Sequence, residues 1–182
     1  GPEGSNTDEV VKKQFGSSAS FFSQPTISDV LASVENEDSQ YGMVPLENTL
    51  EGPVVETLDG LVEKNVSIVS QVQLKISHYL MSQEKDVKNI SKVYSHPQAL
   101  AQCKKYLKKA LPNADLIETQ STARAAQIAG GKKKIAAVAP RPCSLLYSLN
   151  IIDKNIQDNA SNRTMFALVE KKTAEPIVLK DI

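Results

Sequence analysis

The sequence predicts an α/β protein of two lobes, built on mostly parallel sheets, with a cleft between them. Three observations carry this. Apolar runs of strand length alternate with amphipathic runs of helix length, the pattern of sheet flanked by crossover helices. One strand-like run, Ile135-Ala136-Ala137-Val138-Ala139, lacks polar side chains and reads as a central strand covered on both faces. Two extended stretches, near residues 70–80 and 155–162, are placed to cross between the halves. They divide the chain into lobe 1, about residues 1–74 plus 160–182, and lobe 2, about residues 75–159.

Taken in order, Gly4-Ser5-Asn6-Thr7-Asp8 is a turn entering a helix, with Ser5, Asn6 and Thr7 able to cap it and Val10, Val11 and Phe15 on its apolar side. Ala19 to Phe22 predicts a short strand. Thr26 caps a helix with Ile27, Val30, Leu31 and Val34 at helical spacing. Tyr41 to Pro45 is a strand that delivers Glu47-Asn48-Thr49 to a helix carrying Val54, Val55, Leu58, Leu61 and Val62. From Val66 an extended stretch runs through Val72, Leu74 and Ile76 to Met81. Val93-Tyr94-Ser95 is a strand stopped by His96-Pro97, and Pro97 suits a first helical turn. Ala99, Leu100, Cys103 and Leu107 make that helix's apolar stripe. Leu116-Ile117 is a strand, Ser121-Thr122 caps a helix, and Gly130-Gly131 ends it. After the Ile135–Ala139 strand, Pro142 to Leu149 is helical and Ile151-Ile152 extended. A turn-like run then leads to Ser161-Asn162-Arg163-Thr164-Met165-Phe166 and a last strand, on which alternation puts Thr164 and Phe166 on one face and Arg163 and Met165 on the other.

Composition narrows the function. The 182 residues suffice for one large domain or two small lobes, and 41% are apolar. Twenty-one basic and 21 acidic side chains give no net charge, which argues against nucleic acid as a partner. No apolar run is long enough to span a bilayer, so no membrane partner is expected. Lys104, Lys105, Lys108 and Lys109 read as a solvated helix face. Gly1-Pro2-Glu3-Gly4 is turn chemistry and no secretory leader; a strand ordinarily enters such a turn, so a trimmed N-terminus is expected. Cys103 and Cys143 form neither a disulfide framework nor a metal pattern, which fits a reducing, cytoplasmic location. His78 and His96 are too few for a histidine-rich metal site. No metal and no cofactor are expected: phosphate-loop, dinucleotide and nucleophile-elbow motifs are all missing.

The polar clusters recur in one place, after a strand and at a helix start: Gly4-Ser5, Asn48-Thr49, Ser95-His96-Pro97-Gln98 and Ser121-Thr122. Helix N-termini offer free N–H groups and partial positive charge. Any one such cluster reads as a plain cap; together they predict a cleft for a small, multiply anionic ligand. Glu47 is the one acid within a cluster. Hydroxyls and amides dominate, which suits orienting a substrate whose own chemistry drives the reaction.

Gly1-Pro2-Glu3-Gly4-Ser5, Val44-Pro45-Leu46-Glu47-Asn48-Thr49-Leu50-Glu51-Gly52, Ser95-His96-Pro97-Gln98-Ala99-Leu100-Ala101-Gln102-Cys103, Ser121-Thr122-Ala123, and Ile156-Gln157-Asp158 up to Asn162-Arg163-Thr164-Met165-Phe166 together resemble prephenate dehydratase. They stand in the family's order across nearly the whole chain. The resemblance implies a fold like the type II periplasmic binding proteins, a homodimer, and prephenate as small-molecule substrate. It implies loss of carbon dioxide and the ring hydroxyl to give phenylpyruvate, towards phenylalanine. It also implies Thr164 as proton donor to the departing hydroxide, positioned by a neighbour. Ser5, Glu47, Asn48, Thr49, Ser95, Gln98, Ser121, Thr122, Asn162 and Arg163 would bind substrate or shape the site, and Phe166 would wall the ring.

The sequence departs from the family pattern where Met165 replaces an arginine, a strong partner for carboxylate. Arg163, two residues earlier on the same strand face, is expected to substitute in part. Asn6, Pro140 and Cys143-Ser144 are further departures. Three other readings stay open: a non-aromatising prephenate decarboxylase, an arogenate dehydratase, and a non-catalytic small-anion-binding protein.

Overall fold

The computed structural model describes residues 1–16 and 18–173; the part of lobe 1 expected at 174–182 lies outside the described residues. The order is α1 (Asn6–Phe15), α2 (Ile27–Glu35), β1 (Tyr41–Asn48), β2 (Gly52–Pro53), α3 (Val55–Glu63), β3 (Val66–Lys75), β4 (Tyr79–Ser82) and β5 (Lys92–Ser95). It continues with α4 (Pro97–Gln102), α5 (Lys104–Ala110), β6 (Asp115–Glu118), α6 (Thr122–Ala129), β7 (Ile135–Ala139), α7 (Pro142–Leu146), β8 (Asn150–Lys154) and β9 (Arg163–Lys171). The described residues form two sheets, in the orders β2-β1-β9-β3 and β6-β5-β7-β4-β8.

The expectation of mostly parallel sheet is corrected. Among the described residues only β5 pairs in parallel, with β6 and β7. The strands nearest the crossings account for the rest. β9 returns between β1 and β3, antiparallel to both. β4 enters the second sheet between β7 and β8, again antiparallel to both. The predicted continuous stretch from 66 to 81 is likewise two strands in different sheets, β3 and β4, with the chain crossing at Ile76–His78.

Each sheet is covered on both faces for a reason visible in strand alternation. In β7, Ala136 and Val138 pack with Val93, Leu100 and Leu107, whereas Ala137 and Ala139 pack with the alanines of α6. In the first sheet, Val44, Ala167 and Val169 meet Val30, Leu31 and Val34 of α2, and Met43 and Phe166 meet Val10 of α1. α2 starts on a capping box: Thr26 Oγ1 accepts from the Asp29 N–H at 3.0 Å, and the Asp29 carboxylate accepts from the Thr26 N–H at 3.2 Å.

Ala19–Phe22 forms no strand. A strand needs a ladder partner, and among the described residues β1, the sheet strand beside this segment's cavity, pairs on its outer edge only at Glu47 and Asn48, with β2. Phe22 is left exposed, and a cavity of about 730 Å³ opens between α1, residues 18–24 and the start of β1. The single helix expected over Pro97–Leu107 breaks at Cys103. In an unbroken helix Gln102 O would accept from Tyr106, and Lys105 N–H would donate to Ala101. Asp158 intercepts both: its N–H donates to Gln102 O at 2.7 Å, and its carboxylate accepts from the Lys105 N–H at 3.1 and 3.2 Å. The helix expected to reach Leu149 ends at Leu146, because Ser148 takes a left-handed conformation at φ 52°.

Replacing Thr26 with alanine removes the hydroxyl that caps α2. The expected cost is about 1 kcal/mol of unfolding free energy, measured by urea denaturation; an unchanged midpoint would contradict the role given to the capping box.

Candidate active site

The site begins with an irregularity in β1. Pro45 has no N–H to give a ladder, and pairing with β9 shifts by one residue beyond it. Pro45 lies opposite Phe166, Leu46 is skipped, and then Glu47 lies opposite Met165 and Asn48 opposite Thr164. A one-residue insertion exchanges the faces of everything that follows it. Without it, Glu47 would stand beside Thr164; with it, Asn48 does. Two bonds hold the bulge to the start of α3. The buried Thr57 Oγ1–H donates to Pro45 O at 2.6 Å, and the Val54 N–H donates to Leu46 O at 2.9 Å.

Asn48 is then the centre of a directed set of hydrogen bonds. The Leu50 N–H donates to Asn48 Oδ1 at 2.9 Å. A backbone N–H can only donate, so the opposite atom of the amide, Nδ2, must face inward. Nδ2 donates to Thr164 Oγ1 at 2.8 Å and to Asn162 Oδ1 at 2.9 Å. Asn162 Nδ2 donates to Gln102 Oε1 at 3.2 Å, and Gln102 Nε2 donates to the Glu51 carboxylate at 3.2 Å. His78 Nε2 lies 2.8 Å from Gln102 Oε1. Asn162 is 1% exposed and Thr164 8%. Since Thr164 Oγ1 accepts from Asn48, its own proton remains to be given to something else. An oxygen that accepts a hydrogen bond donates its proton more strongly.

The crossings supply the frame. Ile76 N–H donates to Asn162 O, Ile156 N–H to His78 O, and His78 N–H to Gln157 Oε1. This accounts for the Ile156-Gln157-Asp158 run: Gln157 and Asp158 hold one crossing to the other and to the break between α4 and α5. Burial keeps the His78 imidazole below its ordinary pKa, only partly offset by the bond to Gln102, so the ring is neutral at pH 7. Burial also pushes both thiols up, Cys103 and Cys143 each to about 12, which removes them as nucleophiles at neutral pH.

The expected site residues fall into distinct groups. Asn48, Asn162 and Thr164 are joined directly. Thr49 and Arg163 act beside them through the backbone: Thr49 N–H donates to Arg163 O at 2.9 Å, and Arg163 N–H to Thr49 Oγ1 at 3.0 Å. The Arg163 side chain is exposed and, by alternation, lies on the face away from Thr164. Met165, where the family pattern has arginine, shares that far face. Glu47 is exposed opposite Met165. Asn48-Thr49 is not a helix start as expected: a turn and β2 intervene before α3. Phe166, 2% exposed, lies in the core cluster with Val10 and Met43.

The helix-start residues behave differently. Ser5 Oγ accepts from the Asp8 N–H and Ser121 Oγ from the Arg124 N–H, so both cap. The two starts are neighbours. Gly4, at φ 80°, would place a methyl 3.9 Å from the Ala123 Cβ and 2.9 Å from Cys143 Sγ, whose S–H donates to Gly4 O; only glycine fits that turn. Thr122 opens α6 half-buried, next to this junction. Ser95 is fully buried and donates to Val138 O at 2.6 Å, tying β5 to β7. Gln98 is half-buried in the first turn of α4, its N–H on His96 Nδ1. Sequence reasoning missed Gln102, His78 and Glu51. The available cue for Gln102 was its position four residues after Gln98, on the same helix face.

The two sheets thus meet at a partly buried set of amides around the Thr164 hydroxyl, an arrangement able to orient a small ligand and donate a hydrogen bond to it. The chain belongs to the prephenate dehydratase family, whose model matches residues 1–174. It is 40% identical over 176 residues to a bifunctional chorismate mutase/prephenate dehydratase of Aquifex aeolicus, covering 97% of this chain and 49% of that protein. It is 37% identical to a prephenate dehydratase of Lactococcus lactis, covering 94% of this chain and 62% of that one. The chain thus spans about half to three-fifths of these relatives. Among solved structures, prephenate dehydratase from Arthrobacter aurescens in complex with L-Phe superposes with a TM-score of 0.85 at 27% identity, over 98% of this chain and 61% of that one.

Replacing Thr57 with valine keeps the shape and removes the donor to Pro45 O. A buried carbonyl left without its donor costs about 1–3 kcal/mol, so urea denaturation is expected to show a loss in that range, largely recovered by serine. No measurable loss in the valine variant would mean that Thr57 does not hold the bulge.

Proposed function

We propose that this chain is the catalytic unit of a prephenate dehydratase, converting prephenate to phenylpyruvate on the way to phenylalanine. The observation that carries this is the Asn48 Nδ2 to Thr164 Oγ1 bond of 2.8 Å, which leaves the threonine proton free in a site where every neighbouring amide is already committed.

The reaction asks little else of the protein. The ring carboxylate leaves as carbon dioxide, its electron pair closes the aromatic ring, and the C–O bond to the ring hydroxyl breaks. Hydroxide departs as water by taking a proton from Thr164, and the threonine oxygen regains one from solvent. The balance is prephenate dianion plus one proton giving phenylpyruvate monoanion, carbon dioxide and water. Aromatisation supplies the driving force, so the protein needs to hold a dianion and assist one departing oxygen. A threonine hydroxyl is a weak acid alone; the donated bond from Asn48 supports it in this role. The adjoining N-termini of α1 and α6, at Ser5 and Ser121, suit the carboxylates by their free N–H groups and dipoles.

Met165 bears on the alternatives. It lies on the strand face away from Thr164, so the missing guanidinium leaves the Asn48–Thr164 bond untouched, which favours dehydration over decarboxylation that retains the hydroxyl. Assembly as a homodimer, supported by the family resemblance, and a cytoplasmic location, supported by two free cysteines, belong to the same proposal.

Incubation with prephenate, followed by NMR, is expected to give phenylpyruvate. Replacing Thr164 with valine should lower kcat by about 10²-fold or more with little change in KM, whereas serine should retain activity. A non-aromatic keto acid as product, faster turnover of arogenate, unchanged prephenate, or a valine variant with wild-type kcat would each overturn the proposal.

A further inference from the structure

His78 lies at the crossing from β3 to β4, immediately before the second sheet begins to pair at Tyr79, and no step of the proposed reaction uses it. It is 4% exposed, and Nδ1 is a buried side-chain nitrogen with no hydrogen-bond partner among the described residues. Such an atom costs stability and calls for a compensating role.

The role follows from the direction of the bonds. Amide side chains have the same outline when turned over, so a run of three amides has a sense only if its ends impose one. Here the Leu50 N–H, which can only donate, fixes Asn48, and the Glu51 carboxylate, which accepts, fixes Gln102. Gln102 Oε1 is therefore an acceptor, taking a bond from Asn162 Nδ2, and the His78 nitrogen 2.8 Å away must carry the hydrogen. That tautomer leaves Nδ1 as the bare, unpartnered atom.

We propose that His78 is a positioning residue for Thr164, acting through Gln102: its Nε2–H holds the Gln102 carbonyl towards Asn162, which keeps Asn162 Oδ1 facing Asn48 Nδ2 and so holds the Asn48 amide in place against the Thr164 hydroxyl. This rests on the reading of Thr164 as proton donor. The opposite tautomer would set bare Nε2 against the Gln102 carbonyl. Gln102 would turn its NH₂ towards His78 and Asn162, and Asn162 would turn in response. Its NH₂ would then face that of Asn48, which cannot turn because Leu50 requires its oxygen. The run holds in one sense only, and His78, like Asn162, is tied to the crossings by its backbone, through Gln157 Oε1 and the Ile156 N–H.

The test uses the full chain and four proteins: wild type, His78→Gln, His78→Asn and His78→Leu. A glutamine amide reaches the place of Nε2, whereas an asparagine amide reaches only that of Nδ1. With prephenate as substrate, the leucine and asparagine variants are expected to lose about tenfold or more in kcat at nearly unchanged KM, and glutamine to restore kcat to within about threefold of wild type. In a Gln102→Ala background, His78→Leu should add little further loss. Side-chain amide resonances of Asn48 and Asn162 in ¹⁵N spectra should move in His78→Leu and stay near wild type in His78→Gln. A leucine variant with wild-type kcat, or unmoved amide resonances, would overturn the proposal, as would a glutamine variant that falls as far as leucine. If the wild type leaves prephenate unchanged, the proposed function fails, and the amide resonances alone decide the role of His78.

Discussion

The site depends on one extra residue in one strand. The skip at Leu46 decides which side chain of the Glu47-Asn48 pair stands beside Thr164. With the charge there, the threonine would face an acceptor and its proton would be taken up inside the protein. With the amide there, the threonine receives a bond and keeps its proton to give. A substrate carrying two negative charges would also be repelled by a carboxylate at that place. The bulge is therefore electrostatic in effect though geometric in origin. Its support is local and inexpensive: a proline that cannot enter the ladder, one buried threonine hydroxyl and one backbone N–H from the start of α3.

The second requirement is that the two sheets meet in one fixed way. Asn48 and Thr164 belong to the first sheet and Gln102 to a helix packed on the second, so their connection is only as good as the crossings. Asp158 breaks the helix over Pro97–Ala110 by taking a carbonyl and an N–H that a continuous helix would have paired. The break leaves Gln102 as the last residue of α4, its side chain turned towards Asn162. Neutral His78, kept so by burial, adds a donor without adding a charge next to the amides. The same strands that carry the chain between the sheets make them antiparallel where they join.

Much of this was legible in the sequence, and what was missed has a common cause. Periodicity and capping located α1, α2, α6, β1, β7 and β9, because each depends on residues adjacent in the chain. Alternation correctly separated Thr164 and Phe166 from Arg163 and Met165. The break at Cys103 was invisible because Asp158, far along the chain, makes it. The strand expected at Ala19–Phe22 had the right composition but pairs with neither sheet. Strand direction was misjudged because β9 returns to the first sheet from the second. Among site residues, Asn48, Asn162 and Thr164 were read from motif runs, and the structure joins them by hydrogen bonds. Gln102 and His78 were passed over: a glutamine on a helix and a lone histidine mean nothing until their partners are known. Glu47 was the natural candidate for an acid, and only the bulge turns it away. Pro45 was the available hint that the strand would not run straight through.

The central claim is the direction of the bond between Asn48 and Thr164, and Asn48→Asp tests it with almost no change of shape. Aspartate can still accept from the Leu50 N–H, but its second oxygen can only accept from Thr164, which reverses the bond. The measurement is kcat for prephenate at saturating substrate, beside Thr164→Val, with a denaturation curve to show that the variant is folded. A kcat for Asn48→Asp as low as that of the valine variant, in a folded protein, is the predicted result. A folded Asn48→Asp protein with near-wild-type kcat would contradict the account, because the threonine would then work equally well with its proton committed to its neighbour.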